Sequence, residues 1–435
     1  MEKADILINR CLILPMNSQS PIEDGALAIK DGKLILVGKR SSATHIKADV
    51  NIDAKGKVAI PGLINCHTHV PMSLFRGIAE DQPLDTWLKE AIWPLEAKLK
   101  LEDVYAGALL GCLEMIKGGV TCFADMYFHE DMVAKAVKES HIRAVLAEAI
   151  IEAGNKEMGQ KMLKTSMDFA SRFDGQAHGR IGTMLGPHAT YTCSPELLRK
   201  VTDEASELNV GVHTHVAESN AMFKDVERKH GQSEVEYLDD LGFLKNNVVA
   251  AHCINLSGND GRILSERGVN VVHAPVANMK LGLGAAKIQD LLRLGVNVSL
   301  GTDGPASNNT IDMFETMKTA ALLQKLVYHN PTVLPAYEVL KMATVNGAKA
   351  LGLEKQVGSL EAGKKADIIL VNLWKPHIRP LHNVCASLVY SARATDVETV
   401  IIDGKVLMEN RHVRILDEQT VMEKAEKATS NLLSR

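Results

Sequence analysis

No Cys-x-x-Cys pair occurs among the seven cysteines, Cys11, Cys66, Cys112, Cys122, Cys193, Cys253 and Cys385. An odd count without such pairs argues against a disulfide framework or a thiolate zinc knuckle. Most of these residues sit in apolar stretches, where cysteine packs as a small hydrophobe. A reducing cytoplasm is the expected compartment. Charge of one sign is also missing. Lys and Arg number 49 against 53 Asp and Glu, a net of −4, with no long basic run. Neither nucleic acid nor a membrane surface is therefore an expected partner. No apolar run approaches the roughly 20 residues that a membrane span needs. The segment Met1-Glu2-Lys3-Ala4-Asp5 lacks a basic stretch followed by an apolar core, so no signal peptide is expected. HExxH, G-x-S-x-G and Walker A patterns are absent. Gly282-Leu283-Gly284 reads as a turn, not a dinucleotide fingerprint.

What is present is a chain of 435 residues, 46% hydrophobic, which suits a large barrel plus something smaller. Its two ends look alike. Ala4–Asn9, Gly25–Ile29 and Leu34–Val37 read as short strands, the last two joined by an Asp31-Gly32 hairpin signal. Gly363–Val371 and Thr399–Leu407 read the same way, with a second Asp-Gly turn at Asp403-Gly404. Each group is too small for a good core, so residues 1–57 and 360–412 are expected to form one composite β-sandwich. Glu and Lys spaced three or four apart from about residue 416 suggest a closing helix within 413–435.

Between the ends, residues 58–359 alternate apolar strands with helical patterns. The strand candidates are Val58–Asn65, Gly119–Met126, Ile142–Ile150, Gly179–Leu185, Val210–His215, Asn247–His252, Val269–His273 and Val296–Leu300. Tyr105–Lys117, Asp131–Glu139, Pro195–Leu208 and Ile288–Leu294 are intervening helix candidates. Eight β–α units predict an α/β fold, a (β/α)8 TIM-like barrel, with an open doubly wound sheet as the runner-up. In such a barrel the active site lies at the C-terminal ends of the strands.

Polar residues gather at those ends. His67 and His69 follow strand 1 and, spaced i, i+2, can converge on one point. His188 follows strand 4, His215 and Glu218 strand 5, His252 strand 6 and Asp303 strand 8. Three imidazoles and one carboxylate can hold a divalent ion with a position left for water. Such an ion lowers the pKa of bound water from about 15.7 to about 7. Asp303 can take the water's proton, Glu218 can carry one to a substrate, and His252 can stabilise developing charge as a non-ligand. Hydrolysis at a C=N or C=O centre is the natural reaction class. His213 shares the parity of His215, and spacing alone does not choose between them as ligand. His215 is favoured because it is nearer the strand end and Glu218. His45, His129, His230 and His412 read as surface or packing residues, and Trp87, Trp93 and Trp374 by default as packing residues.

Three segments together resemble the amidohydrolase superfamily: Pro61-Gly62-Leu63-Ile64-Asn65-Cys66-His67-Thr68-His69, His213-Thr214-His215-Val216-Ala217-Glu218 and Gly301-Thr302-Asp303-Gly304. The resemblance covers essentially the whole chain and is strongest to deaminases of 5′-substituted adenosines. Chlorotriazine hydrolases and guanine deaminases are similar but more distant. The resemblance implies that His67, His69, His215 and Asp303 bind one ion, zinc first, with iron or manganese as alternatives. It implies that Glu218 protonates purine N1 and that His252 assists. It also matches Trp87 to a residue lying against the base, Glu96 to an acid holding ribose hydroxyls, and His188 to a further substrate contact. The partners it implies are a small-molecule nucleoside and copies of the same chain, as a homotetramer or dimer. The expected reaction is deamination to the inosine analogue, on 5′-deoxyadenosine, 5′-methylthioadenosine, S-adenosylhomocysteine or adenosine. Triazine dechlorination or deamination and guanine deamination are the alternative reactions, and a non-catalytic scaffold is the alternative of another class. Relatives that accept S-adenosylhomocysteine carry Arg where this chain has Glu148, which points toward smaller 5′ groups.

Overall fold

The structure is a computed structural model describing residues 2–435. Its first five strands are β1 (Glu2–Ile13), β2 (Ile22–Lys30), β3 (Lys33–Lys39), β4 (Ile46–Asp53) and β5 (Lys57–Pro61). The barrel follows with β6 (Leu63–Thr68), β7 (Val120–Tyr127), β8 (Arg143–Ile150), β9 (Ile181–Pro187), β10 (Gly211–Val216), β11 (Val248–His252), β12 (Asn270–His273) and β13 (Asn297–Leu300). The chain then returns through β14 (Ile368–Asn372), β15 (Val397–Ile402), β16 (Lys405–Glu409) and β17 (His412–Val413) to a last helix, Glu418–Leu433.

Both ends of the chain build one nine-stranded sheet, in the order β17-β16-β15-β14-β5-β1-β2-β3 with β4 also on β1. Backbone bonds from Leu34 to Lys364 and from Ala366 to Gly32 bring β3 back toward the segment before β14. The sheet thus folds over its own apolar core, which includes Ile8, Ile13, Leu27, Ile29, Ile368 and Leu370. The two Asp-Gly turns meet there. Asp31 and Gly32, like Asp403 and Gly404, have positive φ, the conformation of a two-residue hairpin turn. A Cβ on Gly404 would lie 2.6 Å from the Cα of Gly32, so the two turns pack backbone to backbone.

The eight strands β6 to β13 are parallel and ordered as in the chain, as the β–α alternation predicts. The seam between β13 and β6 is joined by side-chain and loop bonds. Asn65 donates to Thr302 Oγ1 at 2.7 Å and accepts from Thr302 N at 3.0 Å. Asp303 N donates to the His67 carbonyl at 2.9 Å. Leu, Val, Ile and Ala between strands and helices form the largest apolar cluster.

One expected strand is two. Val58–Asn65 reads as a single apolar run, yet β5 pairs with β14 in the terminal sheet while β6 pairs with β7 in the barrel. The change of sheet occurs at Gly62, where any Cβ would overlap the Thr121 side chain. Just beside it, Arg143 at the start of β8 makes a paired contact with Asp367, at 2.9 and 3.1 Å. Both side chains are buried, at 1% and 3% exposure, and this ion pair ties the barrel floor to the terminal sheet. No helix among the described residues is long and apolar enough to cross a membrane.

Candidate active site

The strand ends bring the metal-ligand candidates together. His69 Nε2 lies 3.3 Å from Asp303 Oδ1 and 3.4 Å from His215 Nε2. His67 Nε2 lies 3.6 Å from the same Asp303 oxygen. The proton positions follow from the partners. His69 Nδ1 is 2.6 Å from the Met126 carbonyl, and His215 Nδ1 is 2.7 Å from the His188 carbonyl. A carbonyl only accepts, so each Nδ1 carries the hydrogen and each Nε2 presents a lone pair. His67 Nε2 is buried without a hydrogen-bond partner. Burial first, and then the neighbouring imidazoles, hold His67 and His215 well below the usual histidine range. Protonation is therefore disfavoured at His67 and His215. Buried lone pairs facing a carboxylate without a donor are costly, and a divalent cation fits that donor set.

His252 completes the cluster. Its Nδ1 is 2.9 Å from Asn278 Oδ1, and its Nε2 is buried without a hydrogen-bond partner. That Nε2 lies 3.7 Å from Glu218 Oε1. His67, His215 and His252 form a second set of mutually close nitrogens, sharing His67 with the set of His67, His69 and Asp303. Burial, opposed by His252 and reinforced by Asp303, raises the Glu218 carboxyl above its ordinary value. The direction favours the protonated form, which is the form a general acid needs. Four residues at these strand ends have positive φ: Ala217 (φ 50°), His252 (φ 74°), Cys253 (φ 47°) and Asp303 (φ 64°). Non-glycine residues adopt this conformation uncommonly and at some cost in backbone energy.

Above the cluster is a cavity. His69, His215, Glu218, Asp303, Trp87, Glu96 and His188 all line it, so seven of the expected residues share one space. His67 and His252 are buried beside it, their rings 4.9 and 5.5 Å from that of His215. Trp87 and Glu96 come from a short helical segment whose turns widen over Trp87–Ile92. Burial, partly offset by the Tyr127 hydroxyl and His69, pushes the Glu96 carboxyl up to about 7. Phe128, Ile151, Tyr191 and Leu281 add apolar wall, and no Lys or Arg among the described residues lines the cavity. His188 Nδ1 lies 3.0 Å from Thr192 Oγ1.

Glu148 is elsewhere. On β8, Val145, Ala147 and Ala149 face the barrel interior while Leu146 and Ile150 join the strand–helix layer. Glu148 shares the outward parity. Its carboxylate accepts from the backbone N–H of His129 at 3.1 Å and of Glu130 at 2.7 Å. The expectation that it selects among 5′ groups is corrected: the side chain does not reach the cavity. His213 also departs from the ligand alternatives. Its Nε2 is 2.8 Å from His67 Nδ1, which places it behind His67. Two residues escaped the sequence reading altogether. Asp125 accepts from Thr68 Oγ1 and Val70 N, both at 2.7 Å, on either side of His69. Asn278 orients His252. Neither belongs to a short motif, so only the three-dimensional packing reveals them. Trp93 lines the cavity, whereas Trp374 is 71% exposed beneath the Arg379 guanidinium, 4.3 Å from its ring.

Residues 58–407 match the model of the amidohydrolase family. The chain belongs to this family. This amidohydrolase is 51% identical to a 5′-deoxyadenosine deaminase of Methanosarcina mazei over 433 residues, covering 99% of each chain. It is 45% identical to a 5-methylthioadenosine/S-adenosylhomocysteine deaminase of Thermoanaerobacter pseudethanolicus, covering 99% of this chain and 100% of that one. Its fold also matches the crystal structure of an adenosine deaminase from Xanthomonas campestris with bound zinc, with a TM-score of 0.95, 33% identity and 100% of each chain covered.

Proposed function

We propose that this amidohydrolase removes the 6-amino group of adenosine-type nucleosides, releasing ammonia and the inosine analogue. One observation carries the proposal: imidazole lone pairs and the Asp303 carboxylate face one another at the floor of a cavity whose wall holds the buried Glu218 carboxyl, 3.7 Å from His252. Full-length relatives at about half identity, named as deaminases of 5′-deoxyadenosine and 5-methylthioadenosine, support it.

His67, His69, His215 and Asp303 would hold one divalent ion, zinc by preference. Such an ion makes water acidic enough to be ionised near neutral pH. Around it, the side chains divide the proton work. Glu218 gives its proton to purine N1, which draws electrons from C6 as the water oxygen adds there. Asp303 takes a proton from that water, and His252 Nε2 accepts a hydrogen bond at the reacting centre. The proton held on Asp303 then passes to the amino nitrogen, which leaves as ammonia, while the oxygen stays on C6 as the carbonyl and its remaining proton returns to Glu218. Trp87 lies against the base, and Glu96 accepts from the ribose hydroxyls.

The cavity also favours a substrate class. A homocysteine tail brings a carboxylate, and no Lys or Arg lines the space to receive it. Apolar walls suit a 5′-deoxy or 5′-methylthio group. The test is a panel of 5′-deoxyadenosine, 5′-methylthioadenosine, S-adenosylhomocysteine and adenosine with zinc-loaded protein. Ammonia release and loss of the adenine absorbance are expected, with S-adenosylhomocysteine the poorest. Unchanged spectra for all four would end the proposal.

A further inference from the structure

His213 is 1% exposed, does not line the cavity, and has no part in the chemistry above. It is nevertheless joined to the metal-ligand cluster at a specific atom. Its Nε2 lies 2.8 Å from His67 Nδ1, and its other ring nitrogen hydrogen-bonds the backbone of Asp125. A backbone carbonyl can only accept, so that nitrogen carries the hydrogen and His213 Nε2 is left as an acceptor. His67 Nδ1 must then be the donor. The hydrogen on His67 is fixed to Nδ1, and His67 Nε2 is left as a lone pair facing Asp303.

We propose that His213 is a positioning residue that sets the tautomer of His67 and thereby commits His67 Nε2 to a bound cation. It does for His67 what a carbonyl does for the other two rings. Met126 orients His69 and His188 orients His215, each through its main chain. Among the described residues no carbonyl bonds His67 Nδ1; the Asp125 backbone acts on it through the His213 ring. The adjacent residues Asp125 and Met126 on β7 thus govern both members of the His67/His69 pair. The Asp125 carboxylate adds to this hold by gripping Thr68 and Val70.

The inference rests on the metal reading above, and its test separates the two. His213→Gln keeps an acceptor near the position of Nε2; His213→Leu removes it. Zinc affinity is measured by competition with a chromophoric chelator. Loss of a group that orients a ligating histidine typically weakens metal binding 10–100-fold. His213→Leu is expected to fall in that range, and His213→Gln to recover most of the loss. A leucine variant that binds zinc as tightly as the wild type overturns the proposal, as does a glutamine variant as weak as the leucine one. The imidazole 15N spectrum of metal-free wild-type protein provides a measurement without any substitution. It should show His67 protonated on Nδ1, and a His67 protonated on Nε2 refutes the assignment. If wild-type protein takes up no zinc, the metal reading fails, and the same spectrum still decides the tautomer. If His213→Leu does not fold, the spectrum and the glutamine variant decide: a glutamine variant that loses zinc affinity tenfold or more counts against the proposal.

Discussion

Replacing Glu218 with Gln tests the chemical centre most directly. The amide fills the same volume in a buried place, so packing and the neighbouring imidazoles are retained. What it removes is a carboxyl whose affinity for a proton is raised by burial and by the nearby Asp303. A positioned general acid contributes roughly 10²–10⁴ in rate. At about 1.4 kcal/mol per tenfold, that is about 3–5 kcal/mol of transition-state stabilisation. Glu218 lies 3.7 Å from His252 and is not one of the four groups assigned to the ion, so metal content should not change. The expected result is therefore specific: kcat for 5′-deoxyadenosine drops at least 100-fold, KM moves little, and zinc per chain stays at the wild-type value. The assay is ammonia release alongside elemental analysis of the same sample. Turnover within tenfold of wild type removes the proton-donor role. Loss of zinc together with activity shows instead that Glu218 helps to hold the ion.

Three further outcomes are expected. Arg143→Met leaves Asp367 buried without its cation, at a cost of about 3–5 kcal/mol. In urea unfolding, Arg143→Met combined with Asp367→Leu should be more stable than the sum of the single losses, and strict additivity would mean that the two are uncoupled. Glu148→Arg should lower the melting temperature, because two backbone N–H groups lose their acceptor and a cation is buried. It should leave the kcat/KM ratio of S-adenosylhomocysteine to 5′-deoxyadenosine unchanged; a tenfold rise in that ratio would put the side chain in the cavity. The Glu96 carboxyl, pushed up to about 7, should be mostly protonated at pH 6 and mostly ionised at pH 8. Only the ionised form accepts from both ribose hydroxyls, so KM should fall as pH rises across this interval. A 2′,3′-dideoxy substrate should lack that change, and an identical profile for both substrates argues against the ribose contact.

The barrel and its rim were legible because both depend on short-range order. Eight apolar runs of strand length, each followed by a helical pattern, leave few topologies, and titratable residues at the run ends share one face of that topology. Other features depended on what cannot be counted along the chain. The run Val58–Asn65 is buried throughout, so its hydrophobicity does not reveal a change of sheet, and the Pro61-Gly62 pair was the only local sign. Parity put His213 and His215 on the same side of β10 but could not say which ring would find His67 and which would find open space. Glu148 is a different case. The same alternation that served elsewhere places it opposite Ala147 and Ala149, and applying it to β8 would have turned the side chain away from the cavity. Asn278 and Asp125 act on other residues and leave no pattern of their own in the sequence.

The order of strands in the terminal sheet governs how the protein is made. β5, at residues 57–61, is complete long before its partner β14, at residues 368–372, leaves the ribosome. Until then, the strand leading directly into His67 and His69 has one open edge, a site where unrelated chains can pair. The barrel can begin to collapse during synthesis, but the base of its first strand is not secured until the last quarter of the chain arrives. A nascent chain stopped before β14 should therefore depend on a chaperone, and the centre that would hold the ion should be among the last parts to set.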